Sequence, residues 1–182
     1  MNHDNAMIRH ATRAITVLAL GWVAGTHAEA ASMCASGDTP VLSCRLARGG
    51  KTASICVHMA SASASTYFYY AYGKRGTPPE MIYPKAGAKD TLSRTHLMFG
   101  GNTGGYAFGF NNGGYRYAMY SVTGTEGMQK GGLVVTRDGR DKPVMDDDCT
   151  AGSITETDDT DLIRASSTLP DDPSVHRHLP IH

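Results

Sequence analysis

The stretch Gly105-Tyr-Ala-Phe-Gly-Phe-Asn-Asn-Gly-Gly-Tyr-Arg-Tyr-Ala-Met-Tyr-Ser-Val122 decides the fold class. Two alternating runs flank Asn112-Gly113. Asn-Gly is a strong hairpin signal, because a type I′ turn needs positive φ at both central residues. With Asn112-Gly113 as the loop, Phe110 faces Tyr115, Phe108 faces Tyr117 and Tyr106 faces Met119. All six then share one side of the hairpin as a cross-strand ladder. The opposite side carries Gly105, Ala107, Gly109 and Asn111 against Tyr120, Ala118, Arg116 and Gly114.

Outward from this hairpin, short strands alternate with Gly- and Pro-rich turns. Residues 41–46 and 52–59 read as a hairpin around Arg48-Gly49-Gly50-Lys51. Gly50-Lys51-Thr52 is not a phosphate-binding loop: that motif needs Gly where Arg45 stands, and a helix should follow. Residues 66–72 form an aromatic strand, and shorter strands are predicted over 80–83, 94–99, 132–137 and 143–145. All nine tyrosines and all four phenylalanines lie between Tyr67 and Tyr120, which places the core there. This pattern predicts an all-β, disulfide-bonded domain over residues 31–150, an antiparallel β-sandwich or open barrel. Residues 151–182 follow as an acidic, largely flexible tail. It carries one or two helical turns over 158–165, with Asp158 and Asp159 well placed near the helix N-terminus, and disorder from Ser166 onward.

Residues 1–30 have the pattern of a secretory signal peptide. Arg9, His10 and Arg13 precede an apolar run over 14–25, and Ala28-Glu29-Ala30 supplies the small-x-small cleavage pattern. The mature chain is expected to start at Ala31, in the periplasm or outside the cell, with no membrane span after cleavage. Cys34, Cys44, Cys56 and Cys149 then read as two disulfides. Three connectivities are open, and Cys34–Cys44 with Cys56–Cys149 is the favoured one.

The formal net charge of zero hides an asymmetry. Residues 45–142 hold 13 Lys/Arg against 5 Asp/Glu, a balance of +8. Residues 146–182 hold 9 Asp/Glu against 2 Arg, a balance of −7. The acidic tail is either simply solvated or a screen for the basic body.

Catalytic motifs are missing from the sequence. There is no Gly-x-Ser-x-Gly elbow and no His-Glu-x-x-His zinc motif. His58 and His96 sit on predicted strands as structural residues, and Glu80 and Glu126 are too separate in sequence to suggest a glycosidase pair. Asp146-Asp147-Asp148 lacks the spacing of a calcium loop and reads as a solvated run. His176, His178 and His182 lie in the predicted flexible tail, which pre-organises no metal site. No enzyme activity, cofactor or metal is expected, and export disfavours a nucleic-acid partner.

Binding through loops on a rigid sheet remains. Residues 123–131 form a Gly-rich loop with Thr125, Glu126, Met128 and Lys130 as contacts. Residues 73–78 carry Lys74 and Arg75. Arg116 is expected to face outward opposite Gly109, with room around its guanidinium.

The run Cys44-Arg-Leu-Ala-Arg-Gly-Gly-Lys-Thr-Ala-Ser-Ile-Cys56 resembles the opening of a family of small exported bacterial β-rich proteins. Tyr70–Gly73, Thr77–Pro79, Tyr83-Pro84, the Asn-Gly-Gly-Tyr hairpin and the late Cys149 extend the likeness. In size and build the chain is also similar to periplasmic lysozyme inhibitors and to immunity proteins, although the Ser-Gly-x-x-Tyr loop of several such inhibitors is absent. The resemblance implies an envelope protein that inhibits, or gives immunity to, a cell-wall hydrolase through a Gly-rich loop. The alternatives are a module that binds an anionic envelope polymer, or a non-catalytic structural protein of the envelope.

Overall fold

The computed structural model describes residues 32–60 and 65–180; the predicted signal peptide lies outside them. The architecture is an antiparallel β-sandwich of two five-stranded sheets. The first holds β1 (Thr39–Arg45), β2 (Thr52–His58), β3 (Tyr67–Gly73), β4 (Met81–Tyr83) and β10 (Thr155–Glu156), in the order β10-β1-β2-β3-β4. The second is a meander of β5 (Ser93–Phe99), β6 (Thr103–Asn112), β7 (Tyr115–Thr123), β8 (Gln129–Arg137) and β9 (Pro143–Asp148). Among the described residues no helix is long and apolar enough to cross a membrane.

Alternation along each strand builds the central core. Ile55, Val57, Phe68 and Tyr70 from the first sheet meet Phe108, Phe110, Met119, Leu133 and Val135 from the second. The β6–β7 hairpin contributes the aromatic ladder. Its turn, however, is Gly113-Gly114, at φ +60° and +80°, and not Asn112-Gly113. Two glycines adopt this turn without a Cβ clash, while Asn112 remains extended and pairs with Tyr115. The ladder therefore slips by two residues: Phe110 faces Tyr117 and Phe108 faces Met119. A slip of two keeps every side chain on its expected face. Phe110 and Tyr117 stack with ring centroids 4.7 Å apart.

The disulfides are Cys34–Cys56 and Cys44–Cys149, which corrects the favoured pairing. Cys44 and Cys56 point to opposite faces of the first sheet. Cys44 is part of the central core, whereas Cys56 packs with Met33, Tyr69 and Ala71 on the outer face. Cys34–Cys56 thus fastens the N-terminal lead-in over that outer face. Cys44–Cys149 joins the end of β1 to the end of β9, where Leu46 and Cys149 form a further bridge.

The acidic run also differs from expectation. Asp146–Asp148 belongs to β9, and strand alternation turns Asp147 inward, where it is buried and its Oδ1 accepts a hydrogen bond from the Arg48 amide at 2.9 Å.

The C-terminal segment is docked rather than disordered. Helix α1 (Thr160–Ser166) is capped by Asp159, whose carboxylate accepts from the amides of Asp161 and Leu162. Leu162 is buried in the central core. Beyond α1, Val175 and Leu179 pack with Leu97, Ala107, Ala118, Tyr120, Val122 and Val134 on the outer face of the second sheet. Gly109 makes this possible, since a Cβ there would lie 2.9 Å from Val175 Cγ2. The edge strand β5 is satisfied by the same segment: Arg94 N–H donates to Pro170 O, and Thr95 Oγ1 donates to Asp172 O. The described ion pairs are Lys51–Glu80, His58–Asp38 and Arg164–Asp161, so the tail does not reach the basic body through ion pairs among these residues.

Replacing Leu179 by Ala is expected to destabilise the domain by about 2–4 kcal/mol in urea unfolding, the cost of emptying a buried leucine site; no loss would mean the tail is not docked. Removing Cys44–Cys149 as a double-serine variant should cost more than removing Cys34–Cys56. Sequence separations of 105 and 22 correspond to roughly 5 and 3 kcal/mol of unfolded-chain entropy.

Candidate binding face at the β7 to β8 turn

The sequence-predicted contacts fall in three separate places. Lys74 and Arg75 are exposed in the turn after β3, whose only described ordering is donation from Thr77 N–H and Oγ1 to Lys74 O. Arg116 lies near the opposite end of β7 from residue 123. It pairs with Asn111, not Gly109, and its space is taken: Nε donates to Asn111 Oδ1 at 3.5 Å and Nη1 donates to Ser174 Oγ. Arg116 therefore anchors the C-terminal segment, a consequence of the two-residue slip and of the docked tail.

Thr125, Glu126, Met128 and Lys130 do cluster. The loop is shorter and stiffer than its glycines suggest, because β7 runs to Thr123 and β8 starts at Gln129, which pair with each other. Between them, Gly124 N–H donates to Met128 O at 2.9 Å and Met128 N–H donates to Thr125 O at 3.1 Å. Thr125–Gly127 makes a tight turn with Glu126 and Gly127 both at positive φ. Glu126 sits at its tip, exposed, at φ +59° and ψ +24°. This left-handed conformation costs a residue with a Cβ about 1–2 kcal/mol. Met128 folds back against Gly124.

Beside this tip lies a cleft of about 710 Å³ lined by Gly127, Lys130, Arg48, Tyr120, Asp146 and Asp148. Asp146 and Asp148 flank the inward Asp147, so alternation sends both outward on β9. Arg48 comes from the β1–β2 turn, brought across by the Leu46–Cys149 bridge. Burial, and after it the charges of Asp148 and Asp146, raises the Tyr120 phenol above its ordinary pKa. The cleft thus offers cations, anions and a neutral hydroxyl within one concavity beside a rigid projection. Such a mixed lining suits a polar protein surface better than a uniformly charged ligand. Among the described residues no group of three or more His, Cys, Asp or Glu is placed to hold a metal ion.

A second concavity, about 620 Å³, lies on the outer face of the first sheet against Met33, Cys34, Tyr67 and Tyr69. Its polar centre is Asp38, which accepts from the Tyr69 hydroxyl at 2.7 Å and is joined to His58 Nδ1 at 2.8 Å. Tyr69 in turn accepts from the Ala35 amide at 2.9 Å. These hydrogen bonds tie Ala35 and Asp38 of the N-terminal segment to β2 and β3.

Arg48, Tyr120, Asp146 and Asp148 escaped sequence reasoning. The signal for the two carboxylates was available in the Asp-Asp-Asp run read with a strand period; that for Arg48 was not, since it depends on the bridge between β1 and β9.

Burial pushes Tyr69, Tyr70 and Tyr120 above the ordinary phenol value of 10.0. A raised folded pKa means these groups contribute stability that is fully present below pH 10 and is lost as pH rises above it, because the unfolded chain ionises first. Urea midpoints should be level between pH 8 and 9.5 and fall above pH 10, with the share of tyrosinate absorbance that belongs to Tyr69, Tyr70 and Tyr120 appearing only together with unfolding. Absorbance equal to ionisation of all nine tyrosines at pH 10 while the fold persists would contradict this burial. No family model matches the chain, and no curated protein or solved structure is found similar to it.

Proposed function

We propose that this is an exported binding protein of the cell envelope that acts by docking a protein partner, not by catalysis. The β7–β8 tip and the adjoining cleft are its docking face. The observation that carries this reading is Glu126, held in a left-handed conformation at the exposed tip of a closed loop. Strain of this kind is kept where the surrounding structure serves a site, and glycine would remove it. A pre-ordered projection loses little entropy on binding. The two disulfides suit an oxidising compartment. The most concrete version is an inhibitor or immunity protein for a cell-wall hydrolase. Thr125 and Glu126 would enter the hydrolase cleft, and Arg48, Lys130, Asp146 and Asp148 would meet its polar rim.

A second reading draws on Arg137, Arg140 and Lys142, which surround the β8–β9 turn and its cavity of about 580 Å³. Asp141 lines the same cavity and Asp138 stands in the same turn, leaving a small net positive charge; this corner would bind an anionic envelope polymer, with affinity falling as salt rises.

Glu126→Gly separates binding from stability. Relief of about 1–2 kcal/mol of strain is offset by the roughly 0.5–1 kcal/mol of extra chain entropy that glycine loses, so stability should stay within about 1 kcal/mol of the parent. Capture of a protein partner from an envelope extract should fall at least tenfold, and capture by Lys74→Ala should not change. Equal capture by the Glu126→Gly variant would remove the loop from the docking face. Salt-sensitive retention on peptidoglycan, lost on replacing Arg137, Arg140 and Lys142, would favour the second reading.

A further inference from the structure

At the other open edge of the sandwich, two polar groups converge on one small cavity with nothing to bond. The cavity, about 80 Å³, is walled by Val41, Leu42, Phe108 and Ile163 of α1, and both Arg94 and Ser121 line it. Ser121 is 3% exposed. Its Oγ and the Arg94 Nε are both buried without a hydrogen-bond partner. Buried polar groups in folded proteins nearly always have a partner, and each that lacks one calls for a ligand, ion or water. The volume is several times the roughly 10–15 Å³ that a single water requires.

Water would satisfy the hydroxyl but bring no counter-charge to the guanidinium, which is half-buried with its Nε donor turned away from solvent. The ion pairs of the described residues do not include Arg94. The face of its guanidinium is already occupied, stacked 3.6 Å from the centroid of the Tyr106 ring. What remains are its in-plane N–H donors, the geometry that carboxylates match. Glu156, exposed on β10, stands at the rim of the same cavity. A cation and a hydroxyl inside, with a carboxylate at the rim and apolar walls, form the complement of a small zwitterion.

We infer that this cavity binds a small α-amino acid of glycine or alanine size. Its carboxylate accepts from Arg94 Nε and Ser121 Oγ, and its ammonium faces Glu156. The site is separate from the β7–β8 tip and does not depend on that docking face.

The test is a titration of the full chain with alanine, followed by the Arg94 Nε–H resonance in ¹H–¹⁵N spectra. A saturable shift is expected with alanine and glycine, and a weaker one with acetate, which lacks the ammonium. Glu156→Gln should reduce alanine to the level of acetate. Ser121→Ala should weaken both by about tenfold, the loss of one hydrogen bond to a charged group, without lowering the thermal midpoint, since it deletes an unpartnered hydroxyl. The inference is overturned if no resonance saturates, if acetamide or chloride shifts Arg94 as strongly as alanine, or if Ser121→Ala binds as well as the parent.

Discussion

The corner where β1 meets the end of β9 governs the rest of the molecule. There Cys44 is bonded to Cys149, Leu46 bridges Cys149, Ala47 N–H donates to Asp148 O and Thr150 N–H donates to Arg45 O. The two sheets belong to different meanders and share no full strand ladder. Their central contact is apolar and non-directional, so it fixes neither register nor angle by itself. Directional bonds at this corner supply that alignment. They also carry Arg48 from the β1–β2 turn to the side of Asp148, and Asp147 completes the joint by receiving the Arg48 amide. The charged cleft beside the β7–β8 tip is therefore a product of the same bonds that hold the sandwich closed.

A second constraint is that both sheets have apolar outer faces. A sandwich normally solvates these faces. Here each is covered by one end of the chain. Met33 and the Cys34–Cys56 bond cover Tyr69 and Ala71, and Val175 and Leu179 cover Ala107, Ala118 and Val134. The open ends and edges of the sandwich are what remain for recognition. Both the strained tip at Glu126 and the cavity at Arg94 and Ser121 lie there.

How far the sequence could be read follows from the range of each interaction. Local signals were legible: the hairpin, the turn glycines, the strand alternation and the acidic start of the helix near Asp159 all depend on near neighbours. Even the misplaced hairpin turn left Phe108, Phe110 and Tyr117 facing the core, because a slip of two preserves the pleat. The disulfide pairing was not legible, since it depends on Cys44 and Cys56 pointing to opposite faces of neighbouring strands. Nor was the tail: Pro, Asp and Ser around Val175 and Leu179 signal disorder until a surface of Gly109, Ala107 and Ala118 is there to receive them. The candidate face was half legible. Glu126 and Lys130 were visible as loop residues, but Arg48, Asp146 and Asp148 reach them only through the β1–β9 corner.

The most direct check is photo-crosslinking in the living envelope, with a benzophenone amino acid placed at Glu126, Lys130 or Lys74 in turn. A docking face at the β7–β8 tip predicts one discrete protein adduct shared by positions 126 and 130 and absent at 74. Adducts at all three positions alike, or at 74 and not at 126, would contradict it.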